Sequence, residues 1–179
     1  MNPQHSPSLY LASQSPRRRE LLQQIGVSYQ VVAADVIEVP RSQESPSDYV
    51  QRLAREKAAA GLASVQRLGL AAKPVLGADT IVVINNEILE KPRDAEHAAD
   101  MLRKLAGATH QVMTAVAMIV EQTCTIKLSV TDVVFRPLTE IEIAAYWHTG
   151  EPCDKAGGYA IQGLGAVFVQ QIRGSYTGV

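Results

Sequence analysis

A chain of 179 residues, 46% hydrophobic and 20% charged, has room for one ordinary domain, with or without a small lobe, and is too apolar to be disordered beyond about its first eight residues. Its 17 Lys and Arg against 18 Asp and Glu give a formal charge of -1, so no global field draws it to nucleic acid or an anionic membrane, and any anion site must be local. No apolar run approaches about 18 residues, which excludes a membrane-spanning helix. The two cysteines, Cys124 and Cys153, lack motif spacing and follow no signal peptide, which points to a reducing cytoplasm, to passive packing of both side chains and away from structural zinc.

In chain order, "SLYLA", residues 8–12, predicts a short buried strand. The stretch "LASQSPRRRELL", residues 11–22, then opens a helix, with Ser13 or Ser15 as its cap, Pro16 in the first position, Leu21, Leu22 and Ile25 as its buried stripe and Gly26 as its stop. Arg17, Arg18 and Arg19 therefore crowd a helix N-terminus, where each cation is disfavoured by about 0.3–1 kcal/mol unless an anion arrives. Serine hydroxyls, guanidinium forks and free helical N–H groups would suit phosphate oxygens; the alternative is a solvated basic patch paired with surface acids.

"YQVVAA" predicts a second strand, and Asp35–Pro46 a loop rich in Pro, Ser and acids that holds Glu38. A long helix starts near Ser45 and buries Val50, Leu53, Ala54, Ala58 and Leu62, with Lys57 on the same face. An ammonium on that stripe must either snorkel outward or meet an anion. Residues 73–92, "KPVLGADTIVVINNEILEKP", predict a buried strand, a break at Gly77, a second strand, a turn at Asn85–Asn86 and a short returning strand. Asp79 thus sits inside apolar sheet, where a carboxylate must be protonated, paired with a cation such as Lys57 or Lys91, or bound to a metal; oxygen-only ligands favour magnesium or manganese. Lys91 follows a strand and precedes Pro92, a position common for ligand contacts.

Asp94 caps a helix that turns Ala95, Ala98, Ala99, Leu102 and Leu105 inward and ends at Gly107. Two long strands flank Glu121–Gln122 as a hairpin, and "TEIE", residues 139–142, is a capping box for a helix ending near His148 and Gly150. A glycine-punctuated loop leads into a final strand. His5, His97, His110 and His148 have no zinc spacing and read as surface or packing residues. The elements predict a mixed α/β fold: a mixed twisted sheet with flanking helices and a cleft between two lobes.

Taken together, "LASQSPRRRELL", "RLAREKA", "GADTIV", "EKP", "MLRKLAG", "THQVMTAV", "DKAGGYAIQG" and "GAVFV" follow in order over roughly residues 8–176 and closely resemble the Maf family of nucleoside triphosphate pyrophosphatases. The resemblance implies an α/β fold similar to inosine triphosphate pyrophosphatases and hydrolysis of a nucleoside triphosphate to monophosphate and pyrophosphate with magnesium or manganese. It implies Asp79 as the catalytic carboxylate, Glu38 and Asp79 as metal ligands, and Lys57 and Lys91 in catalysis. Ser13, Arg17, Arg18 and Lys155 would hold the triphosphate. Arg17, Thr80 and Gln162 match the dTTP and UTP group, where a 7-methyl-GTP branch would show Trp, Gln and Glu; Thr80 and Gln162 would read the pyrimidine edge. Modified pyrimidine triphosphates are further candidate substrates. The family is also linked by name to septum formation, so a regulator of cell division that binds nucleotide or nucleic acid is the alternative. A homodimer is expected, as is a further short strand and last helix beyond "GSYTGV", where this sequence stops.

Overall fold

The computed structural model describes residues 6–179, so the expectation for His5 lies outside it. The described residues form β1 (Leu9–Ala12), α1 (Pro16–Gln24), β2 (Tyr29–Val31), α2 (Pro46–Arg67), β3 (Val75–Ile84), β4 (Glu87–Leu89), α3 (Ala95–Leu105), β5 (Thr109–Val120), β6 (Thr123–Phe135), α4 (Glu140–His148) and β7 (Val169–Arg173). All seven strands share one mixed sheet in the order β2-β1-β3-β5-β6-β7, with β4 beside β3, as the mixed α/β reading requires. None of these helices is long and apolar enough to cross a membrane. By contact the chain divides into a first unit, running to Asp79 and including Ala115–Leu128, and a second, Thr80–Thr114 with Ser129–Val179.

In the first unit β1 lies parallel to β2, with Leu11 opposite Val31, and to β3, with Ala12 opposite Gly77. Its four residues are all buried, and strand alternation divides them between two faces. Tyr10 and Ala12 pack with Val32, Val65 and Val75; Leu9 and Leu11 pack with Leu22 of α1. The stripe predicted for α1 is narrower than expected, since Leu22 is its buried residue while Ile25 is 70% exposed. Strand β2 ends at Val31, short of the predicted "YQVVAA".

Gly77 does not break β3, which runs unbroken from Val75 to Ile84. Its missing side chain serves a close approach instead. A Cβ at Gly77 would stand 2.4 Å from the Ala58 nitrogen and 2.5 Å from the Ala54 oxygen, and one at Gly61 would stand 2.6 Å from the Ala12 Cβ. The backbone of α2 therefore lies directly on β1 and β3. Ser45 caps that helix by accepting from the Asp48 N–H, and Val50, Leu53, Ala54 and Ala58 are buried as the periodicity predicted.

The core of the second unit gathers Val82, Ile84 and Leu89 with Met101, Leu102 and Leu105 of α3, Val112, Val133, Phe135, Tyr146, Tyr159 and Phe168. Asp94 caps α3 by accepting from the His97 N–H at 2.8 Å. Ala95, placed inward by the sequence pattern, is exposed in the first turn of that helix. Thr139 and Glu142 form the capping box of α4. His110 is a packing residue: its Nε2 lies 2.8 Å from the Tyr159 hydroxyl and its ring meets Phe135 edge-on. Burial pushes it down to about 4. Cys124 and Cys153 are both exposed, so neither is the packing residue that composition suggested.

Candidate active site

The first unit converges on one ammonium. Lys57 occupies the face of α2 that meets β3, one turn from Ala54 and next to Ala58, while Asp79 lies two residues beyond Gly77 on the same side of the strand. The close helix–strand approach brings the Lys57 Nζ to 2.6 Å from Asp79 Oδ1 and 2.6 Å from Glu38 Oε1. The choice between snorkelling and meeting an anion thus resolves toward the anion, and the partner of Asp79 is Lys57. Asp79 is 6% exposed. Burial pushes its carboxyl above the ordinary range, opposed by the charges of Lys57 and Arg18.

Arg18 joins from α1. Ser15 stands at the cap position without capping through its side chain; Ser13 Oγ instead accepts from the Ser15 N–H at 3.3 Å and from Arg18 Nη1 at 3.0 Å. Burial lowers Arg18 from its usual value, and the facing charges of Asp79 and Glu38 counter that effect. Arg17 pairs loosely with Glu20 at 3.7 Å. Arg17 and Arg19 each hold a buried Nε that has no hydrogen-bond partner among the described residues. A helix start with no side-chain cap and two unmatched guanidinium nitrogens, on Arg17 and Arg19, form a region short of acceptors. Phosphate oxygens would supply them.

Sequence reasoning missed the clamp behind Glu38. Arg52 of α2 donates from Nε to Glu44 Oε1 at 2.6 Å, from Nη2 to Glu44 Oε2 at 2.8 Å and to the Val39 carbonyl at 3.0 Å, and from Nη1 to Glu56 at 3.0 Å. Arg41 adds a bond to Glu56 at 3.0 Å. The forked bond from Arg52 holds the Glu44 carboxyl down to about 2. The acidic loop is therefore fastened to the helix that carries Lys57. Its one sequence signal was the i,i+4 spacing of Arg52 and Glu56 inside "RLAREKA".

The remaining predicted residues belong to the second unit. Thr80 Oγ1 lies 2.8 Å from Thr114 Oγ1, and Thr114 donates to the Gly178 carbonyl at 2.7 Å. Gln162 Nε2 donates to the backbone oxygens of Val179 at 2.8 Å and Tyr176 at 3.3 Å. Lys91 is exposed past the end of β4, and Lys155 pairs with its neighbour Asp154. Within this unit the structure thus joins Thr80 and Gln162 to one terminal turn and leaves Lys91 and Lys155 outside that network.

Glu38 and Asp79 also fit a divalent cation. Both present hard oxygen donors toward the point that the Lys57 nitrogen occupies, so these are the residues that could hold the ion. Among the described residues no group of three or more His, Cys, Asp or Glu is arranged as a metal cage. Two carboxylates with the rest of the shell left to water and substrate is the habit of magnesium.

Residues 8–179 match the family model described as Maf-like protein. The dTTP/UTP pyrophosphatase of Saccharophagus degradans is 60% identical over 98% of this chain and 83% of its own length. That of Shigella sonnei is 60% identical over 96% of this chain and 85% of its own. The nucleoside triphosphate pyrophosphatase of Shigella flexneri gives the same figures, 60%, 96% and 85%. The family model and the relatives agree: the chain belongs to the Maf family.

Proposed function

We propose that this protein hydrolyses pyrimidine nucleoside triphosphates, dTTP and UTP among them, to the monophosphate and pyrophosphate. The observation that carries the reading is the buried Asp79, held with Glu38 on Lys57 and faced by Arg18. Names borne by relatives about 60% identical supply the reaction and the bases.

In this reading Asp79 orients a water and takes its proton as the water oxygen attacks the α-phosphorus. The bond from that phosphorus to the bridging oxygen breaks, and its electron pair leaves with pyrophosphate. Arg17, Arg18 and Ser13 bind phosphate oxygens, and Arg18 and Lys57 offset the charge that grows on the leaving group. Lys57 also holds Asp79 and Glu38 together when the site is empty of substrate. Magnesium or manganese on Glu38 and Asp79 would act as a Lewis acid toward phosphate oxygens. Lys91 and Lys155 are assigned to the phosphates, and Thr80 and Gln162 to the base, on the resemblance of their motifs. Modified pyrimidine triphosphates are included because one added methyl shifts binding by only about 1–3 kcal/mol. The reading carries with it a cytoplasmic homodimer, supported by family resemblance and, for the reducing compartment, by two free exposed thiols.

The test is release of pyrophosphate and monophosphate from a panel of triphosphates with magnesium. Equimolar products and a loss of about 10³-fold in Asp79→Asn are expected. Release of inorganic phosphate instead, or an active Asp79→Asn, would overturn the mechanism. Tight nucleotide binding without turnover would mark the alternative regulator.

A further inference from the structure

One lysine holds two acids by oxygens that a cation would also seek. The Lys57 Nζ stands 2.6 Å from Asp79 Oδ1 and 2.6 Å from Glu38 Oε1, and Arg18 faces the same two carboxylates. The formal charges of these four groups sum to zero. A divalent cation placed among them, with every group still in position, adds two uncompensated positive charges beside a buried aspartate, and such an excess is strongly unfavourable away from water. Magnesium also draws carboxylate oxygens to about 2.0–2.1 Å and tolerates little departure from octahedral geometry, so an ammonium bonded to the same oxygens opposes it. The backbone beneath is fixed. A Cβ at Gly77 would stand 2.4 Å from the Ala58 nitrogen, so α2 lies on β3 and the root of Lys57 stays in place while its four-carbon stem is free to turn. Exposure is graded across the cluster: the side chain of Asp79 is 9% exposed, that of Lys57 12% and that of Glu38 44%. An ion arriving from solvent meets the Glu38 end first.

We propose that Lys57 gates the loading of Glu38 and Asp79 by a divalent cation: ammonium and metal compete for the same carboxylate oxygens, and the metal binds as the ammonium swings off them. The inference rests on the pyrophosphatase reading for its placement of magnesium or manganese on this pair, and adds to it the residue that sets how tightly the metal loads. A side chain that occupies a site lowers the apparent affinity of a competitor by the fraction of molecules in which the site is open. Lysine suits such a gate. Its charge is compact, its stem is flexible, and the head can reach water while the methylenes stay against apolar surface. Once displaced, the ammonium needs another anion. The polyphosphate that the reading sets against Arg17 and Arg18 supplies one, so metal and substrate strengthen each other's binding. A lysine that merely organised the two acids would have the opposite signature, because its removal would weaken the metal.

The experiment titrates Mn2+ calorimetrically into the nucleotide-free wild-type protein, Lys57→Met, Lys57→Gln and Asp79→Asn. Methionine removes the charge and keeps the length; glutamine keeps a donor for the carboxylates without the charge and serves where methionine does not fold. Both variants should bind Mn2+ about tenfold or more tightly than the wild-type protein, and Mn2+ should raise their melting temperatures by more. Asp79→Asn should lose the binding. The wild-type protein gives an independent reading: the nitrogen-15 signal of the Lys57 ammonium, assigned through the carbons of its own side chain, should move toward those of solvent-exposed lysines as Mg2+ is added. Affinity unchanged or lower in the folded Lys57 variants, or no binding in any of them, overturns the inference. So does an Asp79→Asn protein that binds as the wild type does, or a Lys57 signal that stays in place at saturating Mg2+, which would put the ion on other oxygens. None of these measurements uses turnover, so their failure leaves the hydrolytic reaction standing. A wild-type protein whose metal binding follows the expectation but which releases no pyrophosphate overturns the reaction alone.

Discussion

The two units solve the problem of buried polarity in opposite ways. In the first, formal charges meet: Lys57 between Glu38 and Asp79, with Arg18 facing the same two carboxylates. In the second, neutral side chains meet: Thr80 on the Thr114 hydroxyl, Thr114 and Gln162 on backbone oxygens, and His110 on Tyr159. A charge cluster is strong only while it is complete, because removal of one member leaves another buried and uncompensated. A neutral relay is weaker per bond but fixes donor and acceptor direction, which is what a base needs to be recognised. In the proposed reading, phosphate chemistry falls to the first set of residues and base selectivity to the second.

The sharpest way to break the comparison is Lys57→Met. It should cost about 3 kcal/mol of stability, the lower end for a broken buried pair because Arg18 still faces Asp79, and should abolish turnover. Thermal melts and pyrophosphate release check both. A variant as stable as the wild-type protein would mean that the ammonium is not needed to hold the carboxylates.

The neutral side is probed by pH. His110 is held down to about 4 by burial, below its ordinary 6.5, so the unfolded chain binds more protons between those values. Stability should be unaffected above about pH 6.5 and fall as the pH drops toward 4, by about 3 kcal/mol in all. Urea midpoints at pH 7 and pH 4.5 measure it. His110→Gln, which can still bond Tyr159 but does not titrate, should remove most of that slope.

The smallest expected effect is Arg52→Lys, which keeps the charge and loses the fork that grips Glu44. Activity should drop about tenfold, seen as a higher magnesium requirement rather than a lower kcat at saturating metal, because the loop bearing Glu38 is loosened. An equal loss at every magnesium concentration would separate the clamp from Glu38.

Much of this was legible in the sequence where the signal is local. The helical stripe around Lys57, the capping box at Thr139 and the position of Asp79 within apolar sheet all follow from spacing and composition. Gly77 was misread because a glycine in a strand marks either a break or a close neighbour, and only the partner element distinguishes them. Ile25 and the two cysteines were misread because apolar character alone does not say which face is covered. Arg52 and Thr114 gave almost no signal, since their roles depend on segments that return from 8 and 64 residues away in sequence. The charges of the candidate site could be named from the chain, with Lys57 one of two partners offered for Asp79; the bonds of Arg52 and Ser13 that hold them could not.

Gly77 carries one last implication. Because strand and helix touch there through bare backbone, the spacing between them is a fixed gauge, and the lysine side chain is the ruler cut to that gauge. Any bulk added at this position lifts the helix away from the strand and lengthens the gap between ammonium and carboxylate in the same movement. Robustness and turnover are therefore geared together at a residue that takes no part in the chemistry, and neither can be tuned there without the other.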